Sequence, residues 1–264
     1  MKKKFFALLA LVFSLTTQAE NKLYPEHFEL SEVTLSEGPL REAMYRNFDM
    51  LISYDVDRLL TPFVRQAGLN TGDYANWTTK HPNFDNWGSG NFRLDGHVGG
   101  HYLSALALAY AACDDAATKA QLKERMDRML SVMKDCQDKF DSNTQGLKGY
   151  IGGYPDNALW TDMYSGSTAK FNSARGNVPL YVQHKVMAGL RDAYIYGKSD
   201  EALTMFLKMC DWAVDLVAKY DTNTMQGVLD TEHGGENEVL ADAYYSRITQ
   251  NTSTAPRNTA TPRW

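Results

Sequence analysis

The sequence contains few cysteines. Three among 264 residues are too few for a disulfide framework, and their odd number leaves at least one unpaired. Cys113, Cys136 and Cys210 each lie in an apolar helical pattern, where a free cysteine usually serves as a small core residue. The pattern therefore predicts buried thiols without disulfide bonds.

Long apolar runs and an excess of positive charge are also missing. After residue 19 no segment has the roughly 18 uninterrupted apolar residues that indicate a transmembrane helix, so we expect no membrane anchor. The formal net charge of −5 gives a nucleic-acid partner no electrostatic support. Hydrophobic content of 44% and charged content of 22% are ordinary for a globular protein, large enough here to bury a substantial core.

Residues 1–19 have the order of a secretory signal peptide. Three lysines follow Met1, an apolar run covers residues 5–15, and small residues at 17–19 precede Glu20. The alternative, a short buried helix, fits poorly with three lysines at its start. We therefore expect cleavage near Glu20 and a periplasmic or secreted protein.

The hydrophobic periodicity predicts an all-α fold. Helical spacing is found in the following segments: 39–66, 98–113, 116–140, 182–196, 200–220 and 236–245. Apolar helices alternate with amphipathic ones, as in a double ring in which outer helices cover inner ones. A helical solenoid would alternate similarly, but the uneven spacing of the apolar helices argues against one. Long loops rich in glycine and aromatic residues, at 68–94 and 143–173, are expected to line one mouth of the barrel.

The first polar cluster opens the apolar helix at 98–113. His97 and His101 are four residues apart and share one helix face, which is half of a His-Glu-x-x-His zinc motif. Val98 stands where that motif has glutamate, and no third ligand is suggested nearby. We therefore favour a pocket in which Asp95, His97, His101 and Tyr102 hydrogen-bond a polyhydroxylated ligand. Two structural histidines at a helix start remain the alternative.

The second and third polar clusters open the other two apolar helices. Gln183 and His184 are costly at the start of an apolar helix unless they face a pocket or solvent. Glu232, His233 and Glu238 surround a glycine pair that would let a ligand approach the main chain. Carboxylates and imidazoles serve general acid–base chemistry on glycosides. The alternative is an acidic, solvated helix start stabilised by the helix dipole.

Four strings together resemble the β-L-arabinofuranosidase family of glycoside hydrolases. They are DGHVGGHYLSALALAYA at 95–111, GYIGGYPD at 149–156, YVQHKVMAGLRDAY at 181–194 and LDTEHGGENEVLAD at 229–242. They occur in the order of the family and at its approximate spacing, over residues 28–245. The resemblance implies an (α/α)6 catalytic domain that acts on plant-derived L-arabinofuranosides with retention. It also implies a zinc-bound cysteine thiolate as nucleophile and a glutamate as acid/base.

The resemblance carries over to binding residues. His184 and His233 match pocket histidines of the family, and the string at 95–102 lies where its first inner helix meets the pocket. Glu232 and Glu238 match as pocket-lining carboxylates. The family usually has methionine where this chain has Glu236.

The sequence departs from the family in its catalytic strings. The family's zinc ligands lie in a Glu-Thr-Cys string and a Cys-Cys pair, and neither occurs in this chain. We therefore expect an incomplete (α/α)6 barrel over residues 20–245 that is truncated, inactive and without zinc. Residues 246–264 are rich in threonine, asparagine and proline, which predicts a disordered, aberrant tail. The alternatives are a non-catalytic helical protein that binds L-arabinose-containing glycans, and a helical scaffold without a ligand.

Overall fold

A computed structural model describes residues 28–84, 94–142, 145–174 and 177–254, with side chains described up to residue 248. The expected signal peptide at 1–19 lies outside the described residues, as do residues 255–264. The prediction of an all-α fold is confirmed, since no β-strand occurs in the described ranges. Within these ranges, no helix has the length and apolar character needed to cross a membrane.

The chain forms helices α1 to α11. Their bounds are Pro39–Ser53 (α1), Val56–Ala67 (α2), Trp77–Lys80 (α3), His97–Ala112 (α4), Ala116–Asp141 (α5), Ala158–Tyr164 (α6), Ala169–Ser173 (α7), Pro179–Ile195 (α8), Asp200–Val217 (α9), Thr222–Thr231 (α10) and Glu236–Thr254 (α11). Short 3-10 turns cover Leu30–Glu32 and Gly72–Tyr74. The short helices α3, α6 and α7 lie inside segments that the sequence predicted as loops.

Side-chain caps explain where several helices begin. Asp55, Asp115, Ser199 and Asp221 each accept a hydrogen bond from a main-chain N–H in the first turn that follows. Such caps satisfy N–H groups that have no partner within the helix. The cap by Asp221 also explains the start of α10, which lies outside the segments where the sequence showed helical spacing. The helix forms because this cap and the buried Val228 outweigh a run of poor helix formers.

The helices pack in two rows. α4, α8 and α11 form an inner row, in which α8 contacts both of the others. α5 covers α4, and α9 covers α8, so each apolar helix is paired with the amphipathic helix that follows it. Away from the first turns of its helices, part of the inner row is not covered by other described helices. There the apolar side chains of Leu108 on α4 and Ile195 on α8 are 38% and 37% exposed.

Two glycines allow α4 and α8 to cross closely. A Cβ atom on Gly100 would lie 2.2 Å from the Lys185 carbonyl oxygen. A Cβ atom on Gly189 would lie 2.6 Å from the Gly100 carbonyl oxygen. The main chains of the two helices therefore touch, which fixes the distance between the side chains on their first turns.

The end of α11 corrects one expectation. The sequence predicted disorder from residue 246, but α11 continues to Thr254. The Ser246 hydroxyl is buried and donates to the Asp242 carbonyl one turn earlier, and the Arg247 guanidinium pairs with Asp211 on α9 at 2.6 Å. These contacts hold the helix in place where apolar periodicity is lacking.

Candidate functional site

Three chain segments converge at one end of the inner row. They are the first turn of α4, the first turn of α8 and the connection between α10 and α11. They surround an open groove lined by Leu94, His97, Val178, Tyr181, Thr231, Glu232 and His233. The groove therefore brings together the three chain segments that carry the polar clusters, with His97 from the first cluster and Glu232 and His233 from the third in its lining.

His97, His101 and Tyr181 form a ring cluster at the groove. The Tyr181 hydroxyl lies 3.0 Å from Nε2 of His101. The Tyr181 ring centroid is 5.8 Å from that of His97 and 6.1 Å from that of His101. Nδ1 of His97 is hydrogen-bonded to the Leu94 carbonyl, which fixes the orientation of that ring.

Partial burial and nearby positive charge disfavour the protonated form of the His101 imidazole. Burial is the larger cause that lowers the pKa of His101, and the charge of Lys185 lowers it further. The Lys185 ammonium lies 5.1 Å from the Tyr181 ring centroid, so it borders the same cluster. A neutral imidazole has one donor and one acceptor nitrogen, and a tyrosine hydroxyl can do both. The cluster is therefore suited to hydroxyl groups of a ligand.

Glu232 caps the N-terminus of α8. Its Oε2 accepts from the Leu180 N–H at 2.8 Å, and its Oε1 accepts from the Tyr181 N–H at 2.6 Å. The residue at the N-cap position, Val178, has no side chain that could accept these bonds, and Pro179 has no N–H. Burial raises the pKa of Glu232 to about 7, although the two N–H donors favour the ionised form.

His184 lies beneath the groove. It is 8% exposed, and a Cβ atom on Gly235 would lie 3.0 Å from its ring. Its Nε2 is 3.5 Å from Oε2 of Glu238, without the geometry of a hydrogen bond. Burial, followed by the charge of Lys185, lowers the pKa of His184. The glycine pair thus lets the α10–α11 connection lie directly over the imidazole, and His184 is not among the residues that line the groove.

Glu238 belongs to an ion-pair network between α8 and α11. Arg191 donates to Glu238 at 2.7 Å and to Asp242 at 2.7 Å, and it pairs with Asp192 at 3.0 Å. The hydrogen bond from Arg191 lowers the pKa of Glu238. The carboxylate therefore joins two helices and does not line the groove.

Asp95, Tyr102 and Gln183, which the sequence also predicted as binding residues, have partners within the protein. The Asp95 carboxylate pairs with Arg65 and accepts from Asn83 at 3.3 Å. The Tyr102 hydroxyl is buried and donates to the Leu51 carbonyl at 2.7 Å. Gln183 is fully buried and its amide donates to the Tyr150 hydroxyl at 3.2 Å. These three side chains support the site from behind.

Of the expected binding residues, the structure places His97, His101, Glu232 and His233 at or beside the groove. Sequence reasoning missed Tyr181, although it begins the third of the four strings. The available signal was its spacing from Lys185, because residues four apart lie on one helix face. His97 and Tyr181 line the groove from different helices, so neither string alone could define it.

The described residues do not fit the zinc ion that the resemblance implies. They contain no group of three or more His, Cys, Asp or Glu side chains placed to hold a metal ion. Cys113, Cys136 and Cys210 are buried and free, as the sequence predicted. Burial raises the pKa of the Cys136 thiol and raises that of Cys210 to about 12, so neither is a thiolate at neutral pH.

Comparison with known proteins identifies one family. The family model described as the β-L-arabinofuranosidase, GH127 catalytic domain, matches residues 32–261. A search of curated proteins finds no match. The matched range contains the groove and extends past residue 245 through the end of α11.

Proposed function

Because the chain belongs to the family of the GH127 β-L-arabinofuranosidase catalytic domain, we propose that its groove binds L-arabinofuranosyl units of plant-derived glycans. The observation that carries the proposal is the cluster of His97, His101 and Tyr181 at an open groove. Its imidazoles and hydroxyl can donate to and accept from sugar hydroxyls, and the Tyr181 ring offers an apolar face to a sugar ring.

We further propose that this 264-residue chain binds the sugar without hydrolysing it. Retaining hydrolysis needs a nucleophile and an acid/base that flank the glycosidic bond. Among the described residues that line the groove, Glu232 is the single carboxylate, and both of its oxygens accept main-chain N–H groups. The cysteine thiols are buried in the helices and lie outside the groove lining.

Export is a separate proposal. The basic, apolar and small-residue order of residues 1–19 supports delivery to the periplasm or the exterior, where plant glycans are met. The acidic balance of the chain supports a carbohydrate partner over a nucleic acid.

A hydrolysis assay tests the absence of turnover. The purified chain is incubated with a chromogenic aryl β-L-arabinofuranoside, with added zinc in one series and a chelator in the other. We expect no release of chromophore above buffer in either series, because the cysteine thiols are buried outside the groove lining and the described residues hold no zinc site. Zinc-dependent release that the chelator abolishes would contradict the proposal. A triple variant with all three cysteines replaced by serine distinguishes a contaminating enzyme, since its trace activity would persist.

A further inference from the structure

The first turn of α8 depends on a residue from a distant segment. A helix start leaves main-chain N–H groups without partners, and a side chain at the N-cap usually accepts them. Val178 has no acceptor there, so Glu232, on the α10–α11 connection, takes the N–H groups of Leu180 and Tyr181. Two bonds from one carboxylate to successive main-chain groups fix both the position and the rotation of the turn.

The packing around this carboxylate leaves little freedom. A Cβ atom on Gly234 would lie 3.1 Å from the Leu180 side chain, so the connection already lies against α8. On its other side, α8 touches α4 through Gly100 and Gly189. The first turn of α8 is thus held between α4 and the α10–α11 connection.

Tyr181 connects the first turn of α8, which these contacts fix, to the groove. Its N–H donates to Glu232 at 2.6 Å, and its hydroxyl lies 3.0 Å from Nε2 of His101. A rotation of the turn that lengthened the first bond would also move the hydroxyl away from the imidazole. Both Glu232 oxygens are occupied by main-chain donors, which leaves the carboxylate poorly placed to bind a sugar hydroxyl as well.

We propose that Glu232 is a positioning residue: it holds the first turn of α8 so that Tyr181 meets His101, and it does not itself bind the sugar. The contribution of Glu232 to sugar recognition rests on the proposed function. Its effect on the position of Tyr181 does not. This role differs from the one that the sequence predicted for Glu232, which was that of a pocket-lining carboxylate.

A ligand-free measurement tests the hold directly. The ring nitrogen resonances of His101 are assigned by nuclear magnetic resonance with His101→Asn and compared among the wild type, Tyr181→Phe and Glu232→Gln. Glutamine keeps the size of the side chain but turns an NH2 group toward a main-chain donor, so it loses at least one of the two bonds. We expect Glu232→Gln to shift the Nε2 resonance in the same direction as Tyr181→Phe, by about half as much or more, with no further shift in the double variant.

The matched control is Asp230→Asn, which removes the same charge from an exposed position two residues away. It should leave the His101 resonance unchanged. An unshifted resonance in a folded Glu232→Gln protein would overturn the inference. If that variant does not fold, Glu232→Asp, which keeps the charge but is one methylene shorter, replaces it under the same expectation.

Calorimetric binding then tests the consequence for the sugar. Glu232→Gln and Tyr181→Phe should each weaken the binding of methyl β-L-arabinofuranoside by about fivefold to tenfold, as loss of one hydrogen bond does. The double variant should be no weaker than the weaker single variant, because both act through one contact. If the double variant were weakened by the product of the two single effects, Glu232 would act independently of Tyr181, and the inference would be overturned. Absence of binding by the wild type would instead reject the proposed function, while the His101 resonance still decides the role of Glu232.

Discussion

Replacement of Gly100 by alanine is expected to lower the free energy of unfolding by about 3 kcal/mol. The new Cβ atom would lie 2.2 Å from the Lys185 carbonyl oxygen and 2.7 Å from the Val186 nitrogen. These are main-chain atoms that cannot rotate away, so α4 and α8 must separate along their crossing. Separation would also draw His101 away from Tyr181, and sugar binding should weaken together with stability.

Urea denaturation followed by circular dichroism measures this effect. Gly227→Ala is the matched control, because Gly227 lies inside α10 and nothing is within 4 Å of its Cβ position. Alanine there should stabilise the protein by up to about 1 kcal/mol, since it is the better helix former. A Gly100→Ala protein as stable as the wild type would show that the two helices do not cross as closely as described.

Replacement of Glu236 by methionine is expected to stabilise the protein by about 2 kcal/mol at about pH 9, with little effect at about pH 4. Partial burial, followed by repulsion from Glu232, raises the pKa of Glu236 from 4.5 to about 8. The folded protein therefore binds this proton more strongly than the unfolded chain does. The stabilisation that the bound proton contributes to the folded protein is fully present below pH 4.5 and is lost as the pH rises through 8. Methionine carries no charge to bury.

Urea denaturation at the two pH values tests this prediction. Glu236→Gln should reproduce most of the gain at high pH, because the cost lies in the charge and not in the shape of the side chain. Glu124→Met, on an exposed position of α5, is the control and should change stability by less than about 0.5 kcal/mol at either pH. An equal gain from Glu236→Met at both pH values would contradict the account, because the cost would then not depend on ionisation.

The long helices could be predicted from sequence because their periodicity is local. The apolar run at 98–113 became α4, and the amphipathic segment at 116–140 became α5, each within a residue or so of its predicted bounds. α10 could not be predicted in this way, since its residues are poor helix formers and its stability comes from the Asp221 cap and the buried Val228. Similarly, Arg247 holds α11 through Asp211 on α9, a pairing that no local pattern indicates.

The site was harder to predict because it depends on which helix face meets which neighbour. Gln183 and Tyr181 are two residues apart and thus lie on nearly opposite faces of α8. Tyr181 faces the groove and Gln183 faces the core. From the amino-acid types alone, Gln183 was expected to face the pocket. The capping bonds from Glu232 join residues about 50 positions apart, so only the folded chain shows that this carboxylate is engaged.

The central claim is that the groove recognises an L-arabinofuranoside through its histidine and tyrosine cluster. Isothermal titration of the 264-residue chain with methyl β-L-arabinofuranoside tests it most directly, in parallel with His101→Ala. His101 is exposed, so the variant should fold as the wild type does. We expect one saturable site in the wild type and binding weakened by about tenfold or more in the variant. Absence of saturable heat, or equal affinity in both proteins, would contradict it.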